Sequence, residues 1–150
     1  MRDFHLRFCL ARGWYDGFID LLDASDDDPQ IPRTGGAYVL GTSDTMLTYP
    51  WGSSPIFYIG KARNLRLRLS QHKKNILYAI DNHDENYRPR HQYGAALGAK
   101  VAWYSRRGPE LPHNVEADLV SYFYSAFGSI PVANSQWPKR IRTSRRTETG

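Results

Sequence analysis

Two short apolar runs, Gly36-Ala37-Tyr38-Val39-Leu40 and Phe57-Tyr58-Ile59-Gly60, each carry one tyrosine and read as strands. The second passes through a glycine turn into an amphipathic helix from about Asn64 to Ile80, with Asn64 as its N-cap. Leu65, Leu69, Ile76 and Ile80 set the apolar face of that helix. Arg68 and His72, four residues apart, share a stripe at its border and lean toward the sheet. Between the two strands, residues 43–55 predict a long hairpin connection with Gly52, Ser53, Ser54 and Pro55 as turn chemistry. A third strand is expected at Val101-Ala102-Trp103-Tyr104, ended by Arg106-Arg107-Gly108-Pro109.

The remaining segments frame this unit. Residues 1–13 form a short arm, and the spacing of Trp14, Phe18, Leu21 and Leu22 predicts a helix packed on the domain. Asp26-Asp27-Asp28-Pro29 stops it and reads as a solvated linker. Asp81 to Gln92 is polar, contains Pro89 and predicts a loop, with His83 and His91 as surface histidines rather than zinc ligands. Gly94 to Lys100 has the glycines of a phosphate loop but lacks the G-x4-G-K-[ST] spacing. A second helix is predicted from Val115 to Phe127, opened by Pro112-His113-Asn114 and closed by Gly128. Its apolar face is Val115, Leu119, Tyr122, Phe123 and Ala126, with Glu116 on the edge and Asp118 pointing away. Ile130 to Asn134 returns to the core. The expected fold is a small α+β layer, a mostly antiparallel three-stranded sheet flanked by helices.

At 150 residues the chain is long enough for a real core, and 41% of it is hydrophobic. Twenty Lys and Arg against 15 Asp and Glu leave a net charge of +5. Acids gather at Asp23 to Asp28; bases gather at Lys61 to Lys74, Arg88 to Arg90, Arg106-Arg107 and Lys139 to Arg146. Such separation suits a polyanion, with salt-dependent binding. No run is long enough to span a membrane, and Met1-Arg2-Asp3-Phe4-His5 lacks the apolar core of a signal peptide. Cys9 stands alone, which excludes an intrachain disulfide and a CxxC metal pair. A cytoplasmic protein without membrane association or small-molecule cofactor is expected.

Gly36-Ala37-Tyr38 followed by Tyr58-Ile59-Gly60, with Arg68, His72, Glu116 and Asn134 downstream, resembles the GIY-YIG nucleases. The resemblance spans roughly residues 35 to 138 and rests on six polar positions in the family order. It implies residues 1–34 as an N-terminal arm and helix with an acidic linker. Residues 35–138 would be the catalytic domain, and residues 139–150 a basic, disordered tail. It also implies a phosphodiester hydrolase acting on DNA with Mg²⁺ or Mn²⁺. One divalent cation both neutralises charge at phosphorus and helps the 3′ oxygen leave, and Mg²⁺ needs as little as one carboxylate.

Glu116 is the implied metal ligand, and Arg68 would fork onto phosphate oxygens. Tyr38 would activate water, directly or through His72, with Tyr58 positioning water or phosphate and Lys61 favouring a tyrosinate. Asn134 would fix backbone. Alanine replaces isoleucine in the first tripeptide, and the hairpin connection is longer than the family's. Tyr49 and Trp51 lie in this insertion, where Trp51 either contacts DNA or covers its own hairpin. Within the family, a restriction-type, phage or mobile-element enzyme fits the small size. The rivals are a non-catalytic nucleic-acid-binding module and a structure-specific or RNA-cleaving nuclease.

Overall fold

The computed structural model describes residues 15–82 and 88–139. The arm up to residue 14, His83 and the tail beyond Lys139 lie outside the described residues. The fold is α+β, with every strand pair antiparallel. The main sheet combines β1 (Gly17–Asp20), β2 (Gly36–Gly41), β5 (Ile56–Ala62) and β6 (Lys100–Ser105) in the order β1-β6-β2-β5. A separate hairpin, β3 (Leu47–Tyr49) and β4 (Gly52–Ser54), fills the connection between β2 and β5. Helices α1 (Leu65–Asp81) and α2 (Pro89–Leu97) share one face, and α3 (Pro112–Phe127) takes the other.

The sheet has four strands, not the expected three, and the extra strand stands where a helix was predicted. Phe18 belongs to the core beneath α3, whereas Leu21 belongs to the core beneath α1, so a single helical stripe does not describe them. Their spacing is that of a four-residue strand followed by a turn. Gly17 pairs with Trp103, and the indole lies where a Cβ at position 17 would stand.

Helix α1 begins as the sequence predicts. Asn64 is extended, and its Oδ1 accepts the Leu67 N–H at 3.0 Å. Leu65, Leu69, His72, Ile76 and Ala79, buried together with Lys73, step by four and three along one stripe. His72 therefore lies within the apolar face, and Ile80, expected there, is exposed. Helix α2 takes in the last four residues of the predicted loop, Pro89 to Gln92, and runs on to Leu97. Pro89 is its first residue, where the missing N–H costs no helical bond. Gly94 lets α2 approach Ile76 of α1. In α3, Tyr122 and Ala126 turn outward, while Val115, Ala117, Val120 and Phe123 are buried. Gly128 ends that helix at φ 76°, donating to Tyr124 O at 2.8 Å.

The acidic run folds back onto α1 with Asp26 and Asp27 still exposed to solvent. Asp28 is buried and its Oδ1 accepts from Gln30 N, which closes a local turn. Asp26 pairs with Lys73 at 3.3 Å, and Asp27 reaches Arg33 at 3.5 Å and Arg66 at 4.0 Å. Lys73 Nζ also donates to Ala24 O, and Arg66 Nε donates to Ile31 O at 2.7 Å.

The insertion docks on α3. The Tyr49 hydroxyl donates to Ile56 O at 2.7 Å and accepts from Val132 N at 3.0 Å, with its ring edge-on to Phe123. Burial pushes that phenol up to about 12. Trp51 donates its N–H to Phe127 O at 3.1 Å and lays its indole over Gly128 while staying 66% exposed. It caps the helix end rather than its own hairpin. Among the described residues no helix is long and apolar enough to cross a membrane.

Replacing Gly17 separates strand from helix. In a helix, Gly17→Ala would stabilise by up to about 1 kcal/mol. Against the Trp103 indole it overpacks, and we expect a loss of about 1–3 kcal/mol in urea denaturation.

Candidate functional site

The register of β2 and β5 sets Leu40 opposite Tyr58 and Tyr38 opposite Gly60, so both tyrosines share the face beneath α1. Gly60 makes this possible. A Cβ there would stand 2.5 Å from the Tyr38 hydroxyl and 2.8 Å from the Tyr58 ring. With none, the two rings pack at 6.2 Å between centroids. From α1, His72 brings Nε2 to 2.5 Å from the Tyr38 hydroxyl, its ring also 6.0 Å from that of Tyr58. From α2, His91 brings Nε2 to 3.2 Å from His72 Nδ1. Arg90, next to it, holds its guanidinium 5.3 Å from the Tyr58 ring centre, a cation–π contact. Its Nε is buried with no hydrogen-bond partner among the described residues.

Tyr38 and His72 are each 1% exposed and His91 is 3% exposed. Burial raises the Tyr38 phenol well above its ordinary value, with Tyr58 adding to the effect. Arg68 and Arg90 oppose it by charge. A free tyrosinate at Tyr38 is thus disfavoured. Burial also holds His72 well below the usual imidazole range, helped by Arg68, His91 and Arg90. His91 falls to about 4 through burial and the charges of Arg90, Arg88 and Arg68. Both imidazoles are neutral at pH 7.

Glu116 and Lys61 form a second group. Helix α3 packs on the Val39 and Ile59 face, opposite Tyr38, so the single expected cluster is divided by the sheet. Lys61 Nζ lies 2.8 Å from His113 Nδ1, and the two flank Glu116. Burial raises the Glu116 carboxyl, against the lowering by Lys61 and His113. The two groups meet along one strand: Tyr38 lies over Gly60, and Lys61 follows Gly60 directly on the sheet's outer strand.

Asn134 touches neither group's reacting atoms. Its Oδ1 accepts from Ile59 N and its Nδ2 donates to Ile59 O, both at 2.9 Å. It fixes the backbone of β5.

No family model matches this chain, and no curated protein or solved structure matches it.

Among the expected site residues, Tyr38, Tyr58, Arg68 and His72 come together, while Lys61 and Glu116 gather elsewhere. Arg90 and His91 join the first set without having been predicted. His91 was expected on the surface, and Pro89 is the signal that could have found it. As a helix start, Pro89 sends residue 91 inward onto α1.

A buried uncharged leaning on both histidines has a pH signature. Below about pH 6.5 the unfolded chain binds protons at these residues that the folded chain refuses, so stability is full at pH 7 and falls as the pH drops toward 4. Glu116, with its raised value, acts in the opposite sense at the acid end. Denaturant unfolding across this range is expected to report an uptake of about two protons near pH 5. His91→Gln is expected to remove roughly half of that slope.

Proposed function

We propose that this chain is a metal-assisted DNA endonuclease of GIY-YIG type that hydrolyses phosphodiester bonds with water. The observation that carries the reading is the convergence of two phenols, two guanidiniums and two neutral imidazoles at one corner of the sheet. Arg68 and Arg90 supply planar donors suited to phosphate oxygens. The unmatched Nε–H of Arg90 is a donor that an anion would satisfy. Tyr58, half-buried beneath Arg90, is the more accessible phenol and positions the phosphate or the water.

Glu116 is the residue to hold Mg²⁺ or Mn²⁺. Its carboxylate is desolvated and its charge only partly offset by Lys61 and His113, a state that a cation relieves. Among the described residues no three His, Cys, Asp or Glu converge as a closed cage, so the ion would keep most of its waters. When bound, it supplies Lewis acidity toward the phosphate. A DNA strand crossing the outer strand at Gly60-Lys61 would reach both groups at once. The finer assignment, a restriction-type, phage or mobile-element enzyme, belongs to the same proposal.

One observation favours a second reading, a non-catalytic nucleic-acid-binding module. Glu116 and Tyr38 approach from opposite faces of the sheet.

Supercoiled plasmid separates the two. With Mg²⁺ the protein is expected to nick it and with chelator to leave it intact. Glu116→Gln is expected to cut on the order of 10²-fold more slowly with DNA affinity retained. Arg68→Ala and Arg90→Ala should each weaken affinity by about tenfold, the loss of one charge-assisted contact. Plasmid that is bound but never nicked under any divalent metal would hand the case to the module.

A further inference from the structure

The Tyr38 hydroxyl, the two nitrogens of His72 and Nε2 of His91 form an unbroken line through the interior, at 2.5 Å and then 3.2 Å. The direction of this line follows from what surrounds the phenol. His72 Nε2 is the hydrogen-bond partner of the Tyr38 hydroxyl among the described residues, and Arg68 and Arg90 act on the phenol by charge. A guanidinium can only donate, so neither Arg68 nor Arg90 can take the phenolic proton. The acceptor within reach is His72 Nε2. A neutral His72 that accepts at Nε2 carries its proton on Nδ1, and that N–H then points at His91 Nε2. Were the line reversed, Tyr38 would accept from His72 and its own buried proton would have no acceptor among the described residues.

We propose that His91 is the third member of a one-way proton line, Tyr38 to His72 to His91, through which the site sheds the proton of the attacking water. The inference rests on the nuclease reading above. Arg68 forks onto a phosphate, and the Tyr38 hydroxyl, which donates its own proton to His72, keeps a lone pair to accept from the attacking water. The water O–H then breaks and its proton passes to the Tyr38 oxygen. The Tyr38 proton moves to His72 Nε2, and the His72 Nδ1 proton moves to His91 Nε2. The hydroxide bonds to phosphorus, the P–O3′ bond breaks, and the 3′ oxygen takes a proton from solvent. His91 is left as the imidazolium, and Tyr38 never stands as an anion.

The line also serves the release of that proton. Among the described residues, Arg68 of α1, Arg88 at the N-cap of α2 and Arg90 within it are the charged groups acting on His91, with Tyr38 and Tyr58 beyond His72. All three charges repel an added proton, so His91 passes it on rather than keeping it. His91 acts through His72 and Tyr38 and is a positioning and relay residue rather than one that touches substrate.

Two measurements test this. Nitrogen-detected NMR of the imidazoles at pH 7 should find both histidines neutral and both protonated at Nδ1. Protonation of His72 at Nε2 would overturn the line whether or not the protein is a nuclease. The second compares variants in plasmid nicking. His91→Gln can still accept the His72 N–H but cannot take its proton. It should hold the His72 tautomer and DNA affinity yet lose about 10²-fold in turnover across the pH profile. His91→Ala should regain turnover with added imidazole. If His91→Gln nicks at the wild-type rate, His91 merely props His72 and the proposal fails. Absence of nicking by the wild type would instead remove the nuclease reading and with it the catalytic use of the line, leaving the NMR result as a statement about the fold.

Discussion

A phenol buried in a sheet must find an acceptor, and leaving its O–H unmatched costs about 1–3 kcal/mol. That requirement organises the α1 and α2 side of this molecule. Tyr38 is met by His72, so a polar residue occupies the apolar stripe of α1. His72 in turn needs a partner for its second nitrogen, and His91 fills that need from α2. Rotating α1 by one residue would strand all three groups. The polar line therefore fixes how the helices sit on the sheet more tightly than Leu65, Leu69 and Ile76 could alone, because apolar side chains tolerate sliding and hydrogen bonds do not. Gly60 is the opening move, since any side chain there would deny Tyr38 its place.

Elements with strong local signals were legible in the chain itself. Asn64 before an apolar stripe, Gly128 after one, and two tyrosine-bearing apolar runs marked α1, α3 and the β2–β5 hairpin to within three residues. The misreadings share a cause. Phe18 and Leu21 look like one helical face because spacing alone does not reveal that they serve two separate cores. Pro89 looks like a loop residue until tertiary packing shows it opening a helix. His91 is polar and sits among arginines, and only the burial of His72 makes sense of its inward position. Within the site, the tyrosines, Arg68 and His72 were readable because β-register and i,i+4 spacing are local properties. The division of Glu116 from Tyr38 was not, because which face a helix covers depends on how the chain crosses the sheet.

Charge is distributed differently in space than along the chain. Asp26 and Asp27 neutralise Lys73 and Arg66, so α1 presents fewer free cations than its sequence suggests. Asp16 holds Arg107 at 2.7 Å near the opposite edge of the sheet. Exposed ion pairs of this kind contribute little to stability, but they narrow the positive field. Arg68 and Arg90 stay beside the tyrosines, and Lys61 lies on the far side of Gly60. Long-range attraction would then favour that corner over the helix flank.

Asn134 has a further consequence. The sheet ends at β5, and an uncovered outer strand offers a row of N–H and C=O groups to any extended chain that drifts past. The carboxamide of Asn134 occupies both such groups of Ile59, and Ala133 N takes Phe57 O just before it. A segment of the same molecule thus stands where a neighbour's strand would otherwise add itself, and together with the register shift in β5 between Tyr58 and Ile56 it blocks fibre-like growth from this margin.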